Sequence, residues 1–387
     1  MDERQIMQLL KEYVDDLLIH SDAENPMWNI EKVRSGAPNK WNYIDGCMIT
    51  AVLALHELTG ESRYLDFADG FVGYFIREDG SIATYEKEDY NLDNINQGKN
   101  LFTLYELTGK IKYRRAMDTL YEQLTTSPRT KEGNFWHKKI YPYQVWLDGL
   151  YMAQPFYMQY EDCYNDKIGC LDSFMQFELV KQHMRDPATG LYYHGYDESR
   201  QMYWADPVTG CSSNFWLRSL GWFVIALVDT LAVMDEQLYY EYRVMRTQLQ
   251  EVINAILTYQ EPDGMFYQVI DKPQAPGNYL ETSGTAILAY GILKATRLGF
   301  LPEKYASFGE KAFWGTAKRY LRIKADGTPV LGGICLVAGL GGPRKRDGSL
   351  AYYFSEPVVE NEAKGVAPMI LAYTEMLYRL KKTYGRI

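Results

Sequence analysis

The chain has 387 residues, of which 47% are hydrophobic and 24% are charged, a composition typical of an ordinary globular protein. Its formal net charge of −9 at pH 7 argues against the broad basic surface of a nucleic-acid-binding protein. The 33 tyrosines are a high content, which favours a cleft that both stacks on a polar ligand and hydrogen-bonds to it.

The first segment, MDERQIMQLLKEYVDDLLIH, is charged and amphipathic and lacks the apolar core of a signal peptide. The most apolar run, GWFVIALVDTL, is shorter than the ~20 residues that span a bilayer. The five cysteines are widely spaced and form no CxxC pair, so neither a disulfide framework nor a zinc site is indicated. We therefore expect a cytoplasmic protein that does not interact with membranes.

Six segments share a polar or acidic start, a glycine and an apolar helical run. In chain order they cover residues 41–58, 90–107, 146–160, 214–231, 279–295 and 361–377. Their glycines are Gly46, Gly98, Gly149, Gly221, Gly284 and Gly365. A helix that is apolar nearly all round is a buried helix, whereas the intervening segments, such as YRVMRTQLQEVINAIL, are amphipathic.

This alternation predicts six helical hairpins arranged in a ring, with the apolar helices inside and the amphipathic helices outside. The inner helices would all run the same way, so their N-terminal ends would form one rim, rich in Trp, Tyr, Asp and Arg. No linker or low-complexity segment divides the chain, and we expect one domain over residues 1–387.

Two aspartates fall on the predicted rim. Asp148 lies within the aromatic stretch YPYQVWLDGLYMAQPFYMQY, and Asp93 precedes the second inner helix. One interpretation is that each caps a helix N-terminus. The other is catalysis, because an aromatic setting favours the protonated form of a carboxyl, and two carboxyls in unlike environments suit glycoside chemistry. The pattern alone leaves both interpretations open.

Several stretches together resemble glycoside hydrolase family 105, the unsaturated rhamnogalacturonyl hydrolases, which are related to the family 88 unsaturated glucuronyl hydrolases. They are YNLDNINQGKNLFTLYELTG, YPYQVWLDGLYMAQPFYMQY, GLYYHGYD, NFWLRSLGWFVIALVD, YLETSGTAILAYGIL and SEPVVENEAKGVAPMILAY. The resemblance extends from about residue 41 to near the C-terminus. It implies an all-α fold, an (α/α)6 barrel, in agreement with the six predicted hairpins.

The resemblance also implies a reaction. The enzyme would release the terminal 4-deoxy-hex-4-enuronyl unit of rhamnogalacturonan-derived disaccharides by hydrating its C4=C5 double bond. Asp148, in W-x-D-G, would be the general acid/base, and Asp93, in L-D-N-I-N, would position the substrate and Asp148. No metal or organic cofactor is implied, and the partner would be a small anionic oligosaccharide.

Two other functions stay open: an unsaturated glucuronyl hydrolase acting on glycosaminoglycan fragments, and a non-catalytic carbohydrate-binding barrel. The choice between a monomer and a homodimer is also open.

Further substrate contacts follow from the resemblance for His194 in YYHGY and for Arg218 and Trp222 in WLRSLGW. An ordinary buried histidine is the alternative for His194. Arg218 either faces the substrate or forms a structural ion pair with Asp93 or Glu281, because its charge cannot be shed.

The remaining candidates are cationic or aromatic. His137 precedes two lysines, a cluster that suits a uronate, with a solvated cationic loop as the alternative. Trp41, Tyr43 and Trp146 are expected to be stacking walls, with core packing as the alternative.

Other catalytic motifs are absent from the sequence. The loop LGGICLVAGLGGPRKRDGS lacks the G-K-[ST] ending of a P-loop and the third glycine of a dinucleotide fingerprint. The resemblance places this loop near the barrel mouth, but we assign neither Arg344 nor Arg346 to the site. No G-x-S-x-G elbow and no H-E-x-x-H metal motif occurs.

Overall fold

The computed structural model describes residues 1–384, and most of them are helical. The α-helices are α1 Glu3–Ile19, α2 Ile30–Ser35, α3 Tyr43–Thr59, α4 Ser62–Phe75, α5 Gly98–Thr108, α6 Ile111–Thr126, α7 Leu147–Tyr164, α8 Cys170–Met184, α9 Leu217–Leu231, α10 Tyr239–Leu257, α11 Thr282–Arg297, α12 Ala306–Tyr320, α13 Leu350–Ser355 and α14 Ala363–Tyr384. Short 3-10 helices cover Lys87–Asp89, Leu92–Ile95, Glu236–Leu238 and Glu303–Tyr305.

Six of these helices form a closed inner ring in the order α3, α5, α7, α9, α11, α14 and back to α3. They are the six apolar segments of the sequence, so the predicted helical barrel is confirmed. Every residue of α9 is buried, as expected for a helix surrounded by other helices. No single helix among residues 1–384 is long and apolar enough to cross a bilayer. Within those residues, α9 and the segment Glu236–Leu257 are together long and apolar enough, but the chain bends by 120° between them.

The outer helices follow the predicted alternation in five of the six pairs. Helices α4, α6, α8, α10 and α12 each pack on the inner helix that precedes them. The sixth inner helix, α14, is instead covered by α1 from the other end of the chain. Helix α1 presents Ile6, Leu10 and Val14 to the core and begins with a capping box between Asp2 and Gln5. The barrel is therefore closed by joining the two ends of the sequence.

The glycine that recurs in each inner helix has a packing role. A β-carbon on Gly284 of α11 would lie 2.4 Å from Cγ of Leu217, at the start of α9. A β-carbon on Gly365 of α14 would lie 2.7 Å from Cγ1 of Ile334. Neighbouring segments thus approach the N-terminal turns of the inner helices more closely than a side chain would permit.

Three two-stranded antiparallel sheets complete the fold. They pair β1 Gln144–Trp146 with β2 Gly195–Asp197, β3 Leu321–Ile323 with β4 Pro329–Leu331, and β5 Ile334–Cys335 with β6 Val358–Val359. Strand β1 runs directly into α7, with Trp146 opposite Gly195. This pairing brings the segment that contains His194 to the N-terminal end of α7.

Candidate active site

A cavity of about 200 Å³ opens at the barrel end where the inner helices begin. Its lining residues are Glu31, Tyr43, Ile44, Asp93, His137, Lys138, Tyr141, Trp146, Asp148, Met152, Val337, Ala338 and Arg346. Both predicted catalytic aspartates therefore border one cavity, together with Tyr43, His137 and Trp146 from the predicted binding set.

Asp148 lies in the first turn of α7, one residue inside the helix. The N-cap of α7 is Trp146, and no side chain caps this helix end, so the interpretation of Asp148 as an N-cap is wrong. Among the described residues, none donates a hydrogen bond to the buried Oδ2 of Asp148. Its neighbour is Nε2 of His194, at 3.5 Å. The carboxyl thus borders the cavity with a histidine beside it, and no lysine or arginine within residues 1–384 forms a salt bridge with it.

His194 is fully buried and connects Asp148 to a tyrosine. Its Nδ1 lies 2.7 Å from the hydroxyl of Tyr353, while its Nε2 points to Asp148. The ring of Trp216 packs on it at 4.7 Å and Trp146 meets it edge to face at 5.7 Å. His194 is thus hydrogen-bonded to Tyr353 and adjacent to Asp148, while its Nε2 has no hydrogen-bond partner within residues 1–384.

Asp93 lies in the 3-10 helix before α5. The cap of that short helix is Asn91, whose side chain accepts from the backbone N–H of Asp93. The N-cap of α5 is Gln97, so the interpretation of Asp93 as the cap of the second inner helix is wrong. Its Oδ2 lies 2.6 Å from Nζ of Lys138, and its Oδ1 lies 3.5 Å from Nε2 of His137. Burial alone would raise the pKa of Asp93, but the charge of Lys138, followed by His137, outweighs it and holds the pKa below its ordinary value. Asp93 is therefore ionised at neutral pH.

His137 and Trp146 form a stacked wall of the cavity. Their ring centres are 4.5 Å apart and their planes differ by 19°. The other side of the stack is Tyr141, 4.9 Å from Trp146. Burial lowers the pKa of His137 to about 4, so its imidazole is neutral at pH 7.

Besides the buried His194, three predicted binding residues lie outside the cavity lining. Trp41 is buried and donates its indole N–H to the carbonyl of Asn94. Trp222 is buried and stacks on Tyr151 at 4.9 Å. Both contribute to the packing around the site, and contact of either with a substrate stays a prediction.

Arg218 is the third of these residues. It is buried, and its Nε donates to Oγ of Ser283 at 2.7 Å. Its Nη2 donates to the carbonyl of Cys335 and lies 4.0 Å from Glu281. Of the two ion-pair partners considered from the sequence, the structure brings Glu281 near and not Asp93.

Some cavity residues were not assigned from the sequence. From the sequence, Lys138 was considered as part of a cluster that suits a uronate, with a solvated cationic loop as the alternative, and was not assigned individually. Arg346 is held by the hydroxyl of Tyr141 at 2.9 Å and by the carbonyl of Gly341 at 3.0 Å. Its guanidinium lies 6.0 Å from the ring centre of Trp146. The sequence shows two adjacent lysines and an RKR run at residues 344–346, which indicate a basic surface. Neither pattern shows which basic side chain points into the cavity.

A buried ion pair also reaches the cavity from the chain ends. Lys364, at the start of α14, lies 2.7 Å from Glu31 and 2.8 Å from Glu362. Burial would lower its pKa, but Glu362 and its other neighbours raise the pKa above the ordinary value. Lys364 therefore stays charged. No cluster of three or more potential metal ligands occurs within residues 1–384.

Comparison with known proteins identifies the family. The profile of Glycosyl Hydrolase Family 88 matches residues 13–380. A family 105 glycoside hydrolase from C. acetobutylicum has a structure with a TM-score of 0.88 and 39% identity, over 96% of this chain and 99% of that chain. The unsaturated rhamnogalacturonyl hydrolase YesR of Bacillus subtilis is 24% identical over 67% of this chain and 72% of its own length.

The fold is shared more widely. The unsaturated glucuronyl hydrolase of Bacillus sp. GL1, described as responsible for glycosaminoglycan degradation, has a TM-score of 0.65 at 14% identity, over 90% of this chain and 88% of that chain. This likeness concerns the helical barrel alone. The family profile and the 39% identical structure together show that this chain belongs to the glycoside hydrolases of families 88 and 105, hydrolases that act on the glycosyl bonds of unsaturated uronates.

Proposed function

We propose that the protein releases a terminal 4-deoxy-hex-4-enuronyl unit of the galacturonyl type from rhamnogalacturonan-derived disaccharides. The observation that carries the proposal is the difference between two carboxyls on one cavity. Asp93 is paired with Lys138, whereas the ion-pair contact of Asp148 within residues 1–384 is with His194. Two carboxyls in unlike environments provide one group that holds charge and one that can exchange a proton.

In the proposed reaction Asp148, as a carboxylic acid, transfers its proton to C4 of the substrate. A water molecule adds at C5 and returns a proton to the Asp148 carboxylate. C5 then bears a hydroxyl and the ring oxygen, and this hemiketal opens to a ketone. The hemiacetal that remains at C1 releases the neighbouring sugar, so one water is consumed for each bond cleaved.

The surrounding residues have distinct parts in this proposal. With Nδ1–H of His194 donated to the hydroxyl of Tyr353, Nε2 is free to accept from the acid form of Asp148. The stack of His137, Trp146 and Tyr141 forms an aromatic wall of the cavity beside the proposed position of the sugar ring. Lys138 and Arg346 are cationic side chains of the cavity lining to which the carboxylate of a uronate could bind.

The test is incubation with the unsaturated rhamnogalacturonan disaccharide produced by a lyase. The conjugated double bond absorbs in the ultraviolet, and hydration removes that absorbance, whereas direct cleavage at C1 would preserve it. We expect the absorbance to disappear as rhamnose is released, with deuterium incorporated at C4 in D2O. Activity only on unsaturated chondroitin disaccharide would assign the glucuronyl reaction instead. Inactivity on both would leave the non-catalytic carbohydrate-binding function.

A further inference from the structure

A second cavity lies on the barrel axis, towards the end where the inner helices finish. Its volume is about 690 Å³, and all six inner helices contribute to its wall. None of its lining residues borders the cavity that contains Asp148. We call it the axial cavity. It is a separate space with its own polar lining, and it opens to solvent beside exposed residues such as Leu107.

The ammonium of Lys99 is buried in this lining. It lies 3.6 Å from the ring centre of Tyr151, and no residue within 1–384 accepts a hydrogen bond from it. A buried ammonium with no acceptor is costly, and burial accordingly lowers the pKa of Lys99 to about 8. The charged and titratable groups that face it are Cys47 of α3, Tyr151 of α7, Asp229 of α9 and Lys294 of α11.

The other cations of the axial cavity already have partners. Lys294 lies 2.8 Å from Asp229, which also accepts from the hydroxyl of Tyr290 at 3.0 Å. Arg297 makes two hydrogen bonds of 2.7 Å to Glu375. The inner part of the cavity thus holds two ammonium groups, Lys99 and Lys294, and one carboxylate, Asp229. One further negative charge beside Lys99 would balance it.

The size and walls of the cavity restrict what can supply that charge. A volume of about 690 Å³ is far larger than a bare inorganic ion, and the polar side chains of Thr103 and Gln159 can bind hydroxyl groups. Glu57 and Glu106 also belong to the lining, and they repel ligands with several negative charges. The best match is a molecule with one carboxylate and several neutral hydroxyls.

We propose that the axial cavity is a second binding site, which takes a sugar acid or a similar polyhydroxylated monocarboxylate with its carboxylate on Lys99. The site is distinct from the proposed catalytic cavity. It requires no double bond in the ligand, so it can be tested with a saturated uronate that the proposed reaction does not consume.

The experiment is calorimetric titration of the full chain with D-galacturonate at pH 7. We expect the Lys99→Met variant to lose a class of sites, with affinity reduced at least about tenfold, because Met is a slightly shorter unbranched side chain without a charge. The matched control is Lys138→Met, which alters the catalytic cavity and should retain the axial site. Unchanged binding by Lys99→Met, or no binding by Lys138→Met, would overturn the proposal.

A second measurement needs no substitution at Lys99. Binding of an anion favours the protonated form of this lysine, so affinity for the axial site should fall as the pH is raised from 7 to about 9. Well above the pKa of about 8, the decrease should approach about tenfold per pH unit. If the galacturonate affinity of the Lys138→Met variant stays constant between pH 7 and about 9, Lys99 does not bind the ligand carboxylate. Both the titration of the variants and the pH dependence measure binding alone, so they test the axial site even if the protein has no catalytic activity.

Discussion

Nδ1 of His137 lies only 2.9 Å from the position that a β-carbon on Gly149 would occupy. Gly149 follows Asp148 in the first turn of α7, and the histidine fills the space beside it. His137 in turn lies 3.5 Å from Asp93 and stacks on Trp146. The missing side chain therefore allows the segment bearing His137 and the helix bearing Asp148 to form one cavity, which gives a physical reason for glycine after the aspartate in W-x-D-G.

The Gly149→Ala variant should lose activity through displacement of His137. Alanine suits a helix better than glycine by up to about 1 kcal/mol, so the helix itself does not suffer. The added methyl must instead push the imidazole away, and we expect kcat/KM to fall at least about tenfold with a well-folded chain. Gly70→Ala in α4 is the matched control, since no atom lies within 4 Å of its β-carbon position. Normal kinetics for Gly149→Ala would show that the placement of His137 is unimportant.

Asp148→Asn should abolish turnover and preserve the fold. The amide keeps the shape of the carboxyl but has no proton to give, and general acid/base groups typically contribute about 10²- to 10⁴-fold to the rate. The loss should appear in kcat, measured by the decrease in ultraviolet absorbance, while the melting temperature stays close to that of the unchanged protein. Activity within about tenfold of the unchanged protein would remove Asp148 from its proposed role.

Much of the fold could be predicted because it is encoded locally. Helix α9 is apolar along most of its length, apart from polar residues such as Arg218 and Asp229, and that composition indicates a helix surrounded by others. The pairing of α1 with α14 could not be predicted in this way. It joins the two chain ends through contacts such as the hydrogen bond of Tyr13 to Asn361, and neither residue carries a local sign of its partner.

The sequence predicted which segments lie at the N-terminal ends of the inner helices, where the candidate site is found. It could not predict which side chains point into the cavity. Successive helical residues point about 100° apart, so a shift of one position decides whether a side chain caps, packs or faces the cavity. Asp148 and Asp93 were considered as caps for this reason, and both lie just inside their helices. Trp41 and Tyr43 are two residues apart, yet only Tyr43 borders the cavity.

Tyr353→Phe should slow the reaction without weakening substrate binding. The hydroxyl of Tyr353 is 2.7 Å from Nδ1 of His194, and its removal leaves the imidazole free to change its tautomer or its orientation beside Asp148. We expect kcat to fall about tenfold with KM unchanged, and the pH optimum to move. Tyr305→Phe, which removes a comparable hydrogen bond of 2.7 Å to Asn254 on the outer wall, should change only stability. An unaltered pH profile in Tyr353→Phe would show that Tyr353 has no positioning role.

Lys138→Met should destabilise the protein at neutral pH. Because the pKa of Asp93 is depressed in the folded state, its ionisation contributes stability above the unfolded pKa of about 3.9, and that contribution is lost as the pH falls through the folded pKa. Without Lys138 the buried carboxylate loses its cation, and we expect the free energy of unfolding at pH 7 to drop by about 1–3 kcal/mol. Denaturant unfolding measures this directly. Lys139→Met is the control, because within residues 1–384 the ammonium of Lys139 binds the carbonyl of Glu88 and lies near the ring of Tyr90, with no carboxylate in a salt bridge. An equal loss in that variant would exclude a specific Lys138–Asp93 contribution.

Stability should also depend on pH through His137. Its pKa is about 4 in the folded protein, because of burial, and about 6.5 in an unfolded chain. Between these values the unfolded state binds more protons, so the free energy of unfolding should rise with pH, by up to about 1.4 kcal/mol per pH unit, and level off above about 6.5. His137→Gln should remove this share of the slope in urea unfolding from about pH 4 to pH 7. The same substitution at His20, which is exposed at the end of α1, gives the background slope. Equal slopes in the two variants would mean that His137 is not held neutral by the fold.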